Sequence, residues 1–356
     1  MAPRLAPLRA HVRRLFDITV CTRPFRAAGP RLDTEMLGDT LVVHNYGHGG
    51  SGWSLSWGSA TVVLEKALAR GDKNIAVIGC GALGLTTAVL ALRSGCSVTL
   101  YAKELLPHTR SVRATGSWTP DSRIALSGPA GPQFGDLWER MARISWKSYR
   151  SYLGVAGNPV EFGDRYAVSD VPFAQANAQY YPPGKLDFAH FGSRIADLVP
   201  GGQTMPPGST PFQLPHVRRS ENMQFNVASY GHTLTAEFYA MGGKMEIREF
   251  RSPSEFTQLG QKVVINCTGY GARDLWKDDS LIPVRGQIAW LVPQPDVTYG
   301  VNYRGVQMIP RSDGIVIQML EGGDMRGYND ASEEVDRDEA AEAVGRIAEL
   351  YARHFR

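Results

Sequence analysis

The sequence predicts an α/β protein in two parts: a Rossmann-type parallel layer and a second part on a mainly antiparallel sheet. Three observations carry this. Asn74–Ile78 is a short apolar strand that runs into Gly79-Cys80-Gly81-Ala82-Leu83-Gly84, then a helical stretch, then a second strand at Ser97–Tyr101. A second glycine turn, 45–52, also lies between an apolar strand and a helix-periodic stretch. Beyond 286, three short segments alternate in the manner of antiparallel strands.

The elements follow in order. The first residues are basic, with Arg4, Arg9, Arg13 and Arg14, and lack the apolar core of a secretory signal. Leu41–His44 reads as a strand. Trp53, Trp57, Ala60, Leu64, Ala67 and Leu68 then recur at helical spacing up to Arg70. The β-α-β unit occupies 74–101. From Asp121 to Gln213 the texture changes to frequent Pro, Gly and aromatic residues, with helices near 133–153, then short strands and long loops. A helix runs from Tyr230 to Met241. Strands are expected at Lys244–Glu249 and at Lys262–Asn266, which ends in Cys267-Thr268-Gly269-Tyr270-Gly271. Further strands are expected at Gln287–Val292, Val306–Pro310 and Gly314–Gln318. A last helix is expected over 331–353. Asp330 and Glu333 have capping-box spacing, and Val335, Val344, Ile347, Ala348 and Tyr351 form its apolar face.

Composition narrows the function classes. The 356 residues are 43% hydrophobic and 21% charged, enough for a sizeable core in two domains or one large one. The net charge of +3 suggests neither a nucleic-acid nor an acidic-membrane partner. No apolar run reaches the ~18 residues of a membrane span. The four cysteines (Cys21, Cys80, Cys96, Cys267) form no C-x-x-C pair. Neither a zinc site nor a disulfide framework is expected, and the simplest reading is a reduced, cytoplasmic protein.

Chemistry concentrates in three segments. In Gly79-x-Gly81-x-x-Gly84 the glycines allow a tight turn, close approach to a pyrophosphate, and close helix–strand packing, and the helix N-terminus favours the anion. The flanking strands supply the context that a bare motif lacks. Which dinucleotide binds stays open. In Tyr101-Ala102-Lys103-Glu104, Glu104 can serve as a ribose-binding carboxylate shifted by one position, whereas Lys103 facing a 2′-phosphate favours NADP. The second segment, Val43 to Gly52, opens another helix and offers a second anion or carbonyl site. His44 and His48 straddle its glycine turn, with no carboxylate or third His nearby in sequence, and are not read as a metal pair. The third is Arg23-Pro24, with Arg26 and Arg31 beyond; an arginine fork matches a carboxylate bidentately.

Taken together the residues resemble the D-amino-acid oxidase family. The resemblance is carried by His44-Asn45-Tyr46-Gly47-x-Gly49-Gly50-x-Gly52 with Gly58-x-Ala60, and by the strand–glycine–helix at 75–93. Tyr101-Ala102-Lys103, Ala114-Thr115-Gly116-Ser117-Trp118-x-Pro120, Asn266-Cys267-Thr268-Gly269 and Val284-Arg285-Gly286-Gln287 add to it. It covers most of the chain and is weakest from 130 to 220. One feature departs from the family order. The His-Asn-Tyr-Gly signature and the Arg-Pro before it belong near the family's C-terminus, so this chain resembles a circular permutation, with 1–70 moved to the front. That requires the terminal helix to end near residues 1–10.

The resemblance implies a Rossmann-type FAD-binding domain, from 30–120 and 221–283, and a substrate domain, from 1–29, 121–220 and 284–356. It implies that Gly79, Gly81, Ala82, Leu83 and Gly84 hold the FAD pyrophosphate. Lys103, Glu104, Arg110, Ser111, Thr115 and Gly269 are further cofactor positions. Gly116 and Ser117 would face flavin N5, and His48, Gly49, Gly50, Gly52, Trp53 and Ser54 would lie at the N1/C2=O end. The catalytic set implied is Arg23 on the substrate carboxylate, the Gly50 carbonyl on the amine, Tyr303 over the substrate, and Gln307 where the family commonly has a second tyrosine. Arg304 and Arg311 have no clear family counterpart and are expected to be solvated, or to read a second acidic group. The implied reaction is hydride transfer from Cα of an amino acid, D by the resemblance alone, to flavin N5. Imino acid, then keto acid and ammonia, would follow, with dioxygen reduced to hydrogen peroxide. Alternatives are a same-fold flavin oxidase or dehydrogenase of an L-amino acid, an imino acid or a biosynthetic amine; an NADP-dependent reductase; and a non-enzymatic FAD-binding module.

Overall fold

The computed structural model describes residues 4–199 and 201–356. Two sheets organise them. The first has the spatial order β2 (Thr34–Leu37), β3 (Thr40–His44), β10 (Val263–Asn266), β4 (Asn74–Ile78), β5 (Ser97–Ala102), β9 (Lys244–Ile247). All but β2 run parallel. Strands β3, β4, β5 and β10 are mostly apolar and buried, apart from the exposed Asn74 and Ser97 at two strand starts, because both faces are covered, as parallel sheets require. One face carries α1 (Gly52–Leu68), α2 (Ala82–Arg93) and α6 (Val227–Ala240). The other buries Val42, Ala76, Ile78 and Val264 against Phe256 and Leu275. Counted from β4, the parallel strands lie in the doubly wound order 3-2-1-4-5, with β3 as the fifth although it precedes β4 in the chain.

The second sheet runs β1 (Leu15–Arg26), β11 (Leu281–Leu291), β14 (Gly314–Met319), β13 (Val306–Arg311), β12 (Gly300–Tyr303), β6 (Val160–Ser169), β8 (His216–Phe225), β7 (Gln203–Thr204). Only β6 and β12 pair in parallel. Strand period two sorts its faces. Val301, Tyr303, Met308, Ile315 and Ile317 pack under α8 (Arg337–Arg353). Asn302, Gln307 and Gln318, aligned across three strands, take the opposite face. The remaining helices are α3 (Ser127–Ala130), α4 (Phe134–Arg150), α5 (Phe173–Tyr180) and α7 (Ala272–Leu275). No helix among the described residues is long and apolar enough to cross a membrane.

Several sequence expectations shift. Helix α4 lies in the stretch assigned to the substrate domain, yet it packs on α1: a Cβ at Gly58 would collide with the backbone of Met141, and Gly58 N donates to Ser145 Oγ at 2.8 Å. The last helix begins at Arg337, not 331. Asp336, not Asp330, is its cap, accepting from Glu339 N at 2.9 Å, and Val335 is left exposed. Helix α6 starts at Val227, three residues before its expected start. Strand β1 was not foreseen, because its basic and polar residues mask the alternation. The chain ends meet. Tyr299 donates from its hydroxyl to the Ala6 carbonyl at 2.7 Å, its ring is 6.2 Å from that of Phe212, and Phe212 meets Phe355 edge-on at 5.3 Å.

Candidate active site

Three glycine turns leave the C-terminal ends of neighbouring strands β3, β10 and β4, where the doubly wound order places ligands. Gly79 has φ 106°, and its N–H donates to Tyr101 O at 2.7 Å, which ties the turn to the end of β5. A Cβ at Gly84 would strike the Gly79 carbonyl, so helix and strand touch there. Ser111 Oγ accepts from Ala82 N at 2.9 Å and presses on Gly81. Neither Gly81 at the start of α2 nor Ser51 at the start of α1 caps its helix with a side chain. Both N-termini therefore keep positive potential for an anion or a polarised carbonyl. Gly269 follows β10 with φ 60°. Lys103 and Glu104 lie just past β5 and are exposed. Lys103 faces Glu249 at 3.9 Å, and Arg110 pairs with Glu333 at 2.6 Å.

The 45–54 turn is stitched to 111–123. Gly49 is left-handed at φ 54°, and a Cβ there would collide with the Arg123 carbonyl. Gly50 N donates to Ser122 O at 2.9 Å, Ser54 Oγ accepts from Thr119 N at 2.8 Å, and Trp53 Nε1 donates to Ser111 O at 2.8 Å. Gly116 has φ 83° beside the Phe225 carbonyl, and Arg311 Nη1 holds the preceding Ala114 O at 2.7 Å. Ser117 Oγ accepts from Arg165 Nη2 at 3.0 Å; burial lowers the Arg165 pKa to about 10.

His48 is fully buried. Ser59 donates its hydroxyl to Asn45 Oδ1 at 2.5 Å, so its oxygen accepts from His48 Nε2–H at 2.9 Å. That assigns the tautomer and leaves Nδ1 bare, with no partner. Burial without a counter-charge lowers its pKa to about 3. His44 is tied instead to Glu35 at 3.3 Å and Asn266 at 3.1 Å. Burial lowers its pKa to about 4, with the Arg31 charge adding to the effect. Asp278 accepts from the Tyr46 hydroxyl at 2.8 Å and pairs with Arg26 at 3.5 Å.

Between the sheets is a cavity of about 1000 Å³ lined by Arg23, Gly50, Thr115, Ser117 and Gln307, together with Arg123, Lys185, Arg285 and Arg326. The β1–β11 register sets Arg23 opposite Val284. Its guanidinium lies across residue 286: Nη1 donates to Arg285 O at 3.3 Å, and a Cβ on Gly286 would occupy its place. Among the described residues no carboxylate pairs with Arg23. Gln307 faces the cavity with Gln318.

Tyr303 does not reach the cavity. Strand alternation turns it to the other face, 1% exposed, under α8 and beside His354, so the expectation that it covers a substrate is not met. Nor are Arg304 and Arg311 solvated readers. Arg304 pairs with Asp170 at 2.8 Å and Glu349 at 3.3 Å, and Arg311 is buried against Asp313 and Trp290. Sequence reasoning missed Arg123. Its backbone is left-handed at φ 50°, and no residue-type pattern marks it. Arg285 stood within a quoted motif without a role.

Comparison with known proteins agrees with this geometry. A family model described as DAO, FAD dependent oxidoreductase, matches residues 74–355. A D-amino-acid oxidase of Dictyostelium discoideum is 26% identical over 286 residues, covering 79% of this chain and 75% of that protein. A D-amino-acid oxidase of Streptomyces coelicolor is 28% identical over 230 residues, covering 64% and 61%. The solved glycine oxidase from Geobacillus kaustophilus aligns over 80% of each chain with a TM-score of 0.54 at 13% identity. An L-amino acid deaminase from Proteus vulgaris, lacking its insertion sequence, aligns over 79% of this chain and 75% of that one, at 0.51 and 12%. Identities this low speak for the fold alone.

Two outcomes follow from the packing. Gly286→Ala displaces the Arg23 guanidinium and weakens small-carboxylate binding by roughly tenfold or more, measured by titration of the loaded protein; unchanged affinity would mean Arg23 is free to move. His48 binds a proton in the unfolded chain below pH 6.5 but in the folded one only near pH 3, so its contribution is complete above 6.5 and lost on acidification. Between pH 7 and 5 it removes roughly 2 kcal/mol of unfolding free energy. His48→Gln takes that slope away in urea titrations at fixed FAD saturation.

Proposed function

Because this chain belongs to the family of FAD dependent oxidoreductases, we propose that it oxidises the Cα–N bond of a free amino acid, most readily a D-amino acid. The observation that carries this is one cavity holding an Arg23 guanidinium with no protein carboxylate beside the Gly50 turn at the start of α1. The glycine turns fit the cofactor. Gly79, Gly81 and Gly84 leave no room for a Cβ against Cys267, Ser111 and the Gly79 carbonyl, so the turn packs tightly on the sheet and the N-terminus of α2 would face a pyrophosphate. Gly116, Ser117 and the 48–54 turn would hold the ring end. FAD, when bound, would accept two electrons and one proton from the substrate as a hydride.

The chain's own residues bind and orient. Arg23 takes the α-carboxylate with two parallel N–H donors, and the Gln307 amide adds a donor from the sheet face. The Gly50 carbonyl accepts a hydrogen bond from the amine, which reacts in its neutral form. These fixed points hold Cα in one orientation, so no acid–base side chain is needed at the α-carbon. The N-terminus of α1 adds positive potential at the same end of the cavity. The overall balance is amino acid, dioxygen and water giving keto acid, ammonia and hydrogen peroxide.

We further infer that the chain is circularly permuted. The family match begins at residue 74, β3 supplies the fifth parallel strand from in front of the first, and both chain ends pack about Phe212 and Tyr299.

Two experiments test these readings. In anaerobic titration, some member of a D-amino-acid panel bleaches the flavin band. Arg23→Ala lowers kcat/KM roughly 100-fold, mainly through KM, with FAD still bound. No bleaching by any D- or L-amino acid overturns the reaction. Joining residue 356 to residue 4 through a short linker, with the chain opened at Gly71, yields a folded, yellow protein. A colourless, unfolded product counts against the permutation.

A further inference from the structure

Besides Arg23 the cavity is lined by Arg123, Arg285, Arg326 and Lys185, against four acids that include Asp324 and Glu339, so what matters is which cation those acids leave unmatched. Arg326 takes Glu339 at 2.6 Å, and Arg285 reaches the same carboxylate at 4.0 Å, so one acid serves two guanidinium groups. Arg123 is the more confined. Its side chain is 12% exposed, its Nε donates to Asp324 O at 2.9 Å and its Nη2 to Gly323 O at 2.7 Å. Those partners are neutral carbonyls. Its nearest carboxylate oxygen, on Asp324, is 3.8 Å from Nη1, and the other oxygen of that carboxylate lies 3.6 Å from His190. Burial and the neighbouring Arg23 and Arg326 charges lower the Arg123 pKa to about 10, which leaves it protonated at neutral pH.

Backbone geometry ties Arg123 to the reacting end. Its left-handed φ of 50° lets its carbonyl lie against Gly49, and Ser122 O accepts from Gly50 N. A strained residue beside a cavity is a sign of function. An apolar substrate side chain filling this space would strip water from Arg123 without returning a counter-charge, which is unfavourable. An acidic side chain would return it.

We propose that the cavity takes an amino dicarboxylic acid, with Arg23 on the α-carboxylate and Arg123 on the distal carboxylate; this rests on the amino-acid reading above. The two arginines enter from different elements, Arg23 from β1 and Arg123 from the turn after Thr119, so they grip the ligand from separate walls.

The test is equilibrium binding of succinate and butyrate to the FAD-loaded protein, read from perturbation of the flavin absorption. The two ligands match in length and differ by one carboxylate. Succinate binds roughly tenfold tighter than butyrate to the unaltered protein. Arg123→Gln brings that ratio to within about twofold, and Arg123→Lys, which keeps the charge, retains more of it. Equal affinity in the unaltered protein overturns the proposal whether or not a variant folds. An unchanged ratio in Arg123→Gln also overturns it, and reduces Arg123 to a clamp on the 323–324 turn. The parent reading fails separately. A succinate preference with no amino acid able to bleach the flavin keeps the anion pair and removes the reaction. Bleaching by neutral amino acids with no succinate preference keeps the reaction and removes the anion pair.

Discussion

The antiparallel pairing of β1 with β11 is the contact on which the site depends. Eleven residues of β1 find partners between Leu281 and Leu291, and the register sets Arg23 against Val284 rather than a neighbour. A slip of one residue would turn every side chain of β1 to the opposite face. The guanidinium would then leave the cavity, and Gly286 would have no reason to be glycine. The same ladder brings the turn after His44 towards the 285–287 wall, through the bridge of Phe25 to His48. Main-chain hydrogen bonds thus fix where the Arg23 guanidinium and the glycine turn meet.

Around that ladder, charge is distributed unevenly. Arg311 and Arg304 are both matched by carboxylates and hold structure: Arg311 fixes the strand into Gly116, and Arg304 ties the 304–305 turn to α8. Arg23 has no such match, and Arg165 donates to a serine hydroxyl. Arg23 is half-buried in the cavity wall, and the buried Arg165 touches that wall through Ser117, so cations without carboxylates lie beside the glycine turns, where a ligand charge would compensate them. His48 follows the opposite logic, staying neutral in a polar chain of Ser59 and Asn45 where a proton has no acceptor to face.

Much of the parallel layer was legible in the sequence. Asn74–Ile78, the three glycines and Ser97–Tyr101 follow local rules that need no distant partner, and β4, α2 and β5 lie there. What escaped depends on distant partners. Strand β1 reads as a polar basic tail until β11 covers it. The start of α8 hinged on which of two Asp-x-x-Glu pairs, 330/333 or 336/339, acted as cap, and spacing alone does not choose. Tyr303 was placed by resemblance, but strand parity assigned it to the core while Gln307, four residues on across a two-residue turn, took the cavity side. Arg123 was invisible because its importance lies in a left-handed backbone and in the neighbours that bury it.

The position of β3 and its glycine turn ahead of the rest also has a temporal side. During synthesis β1 and the 45–52 turn emerge well before their partners β10 and β11, which begin at Val263 and Leu281. At ~5–20 residues per second, the N-terminal strands wait on the order of ten seconds or more for the chain that completes their sheets. Strands β2 and β3 can pair early, and α1 can pack on β3 and α2, but the β10 side of β3 stays an open edge throughout that interval. The order of elements therefore leaves Leu41–Val43 half-paired for a long stage of synthesis.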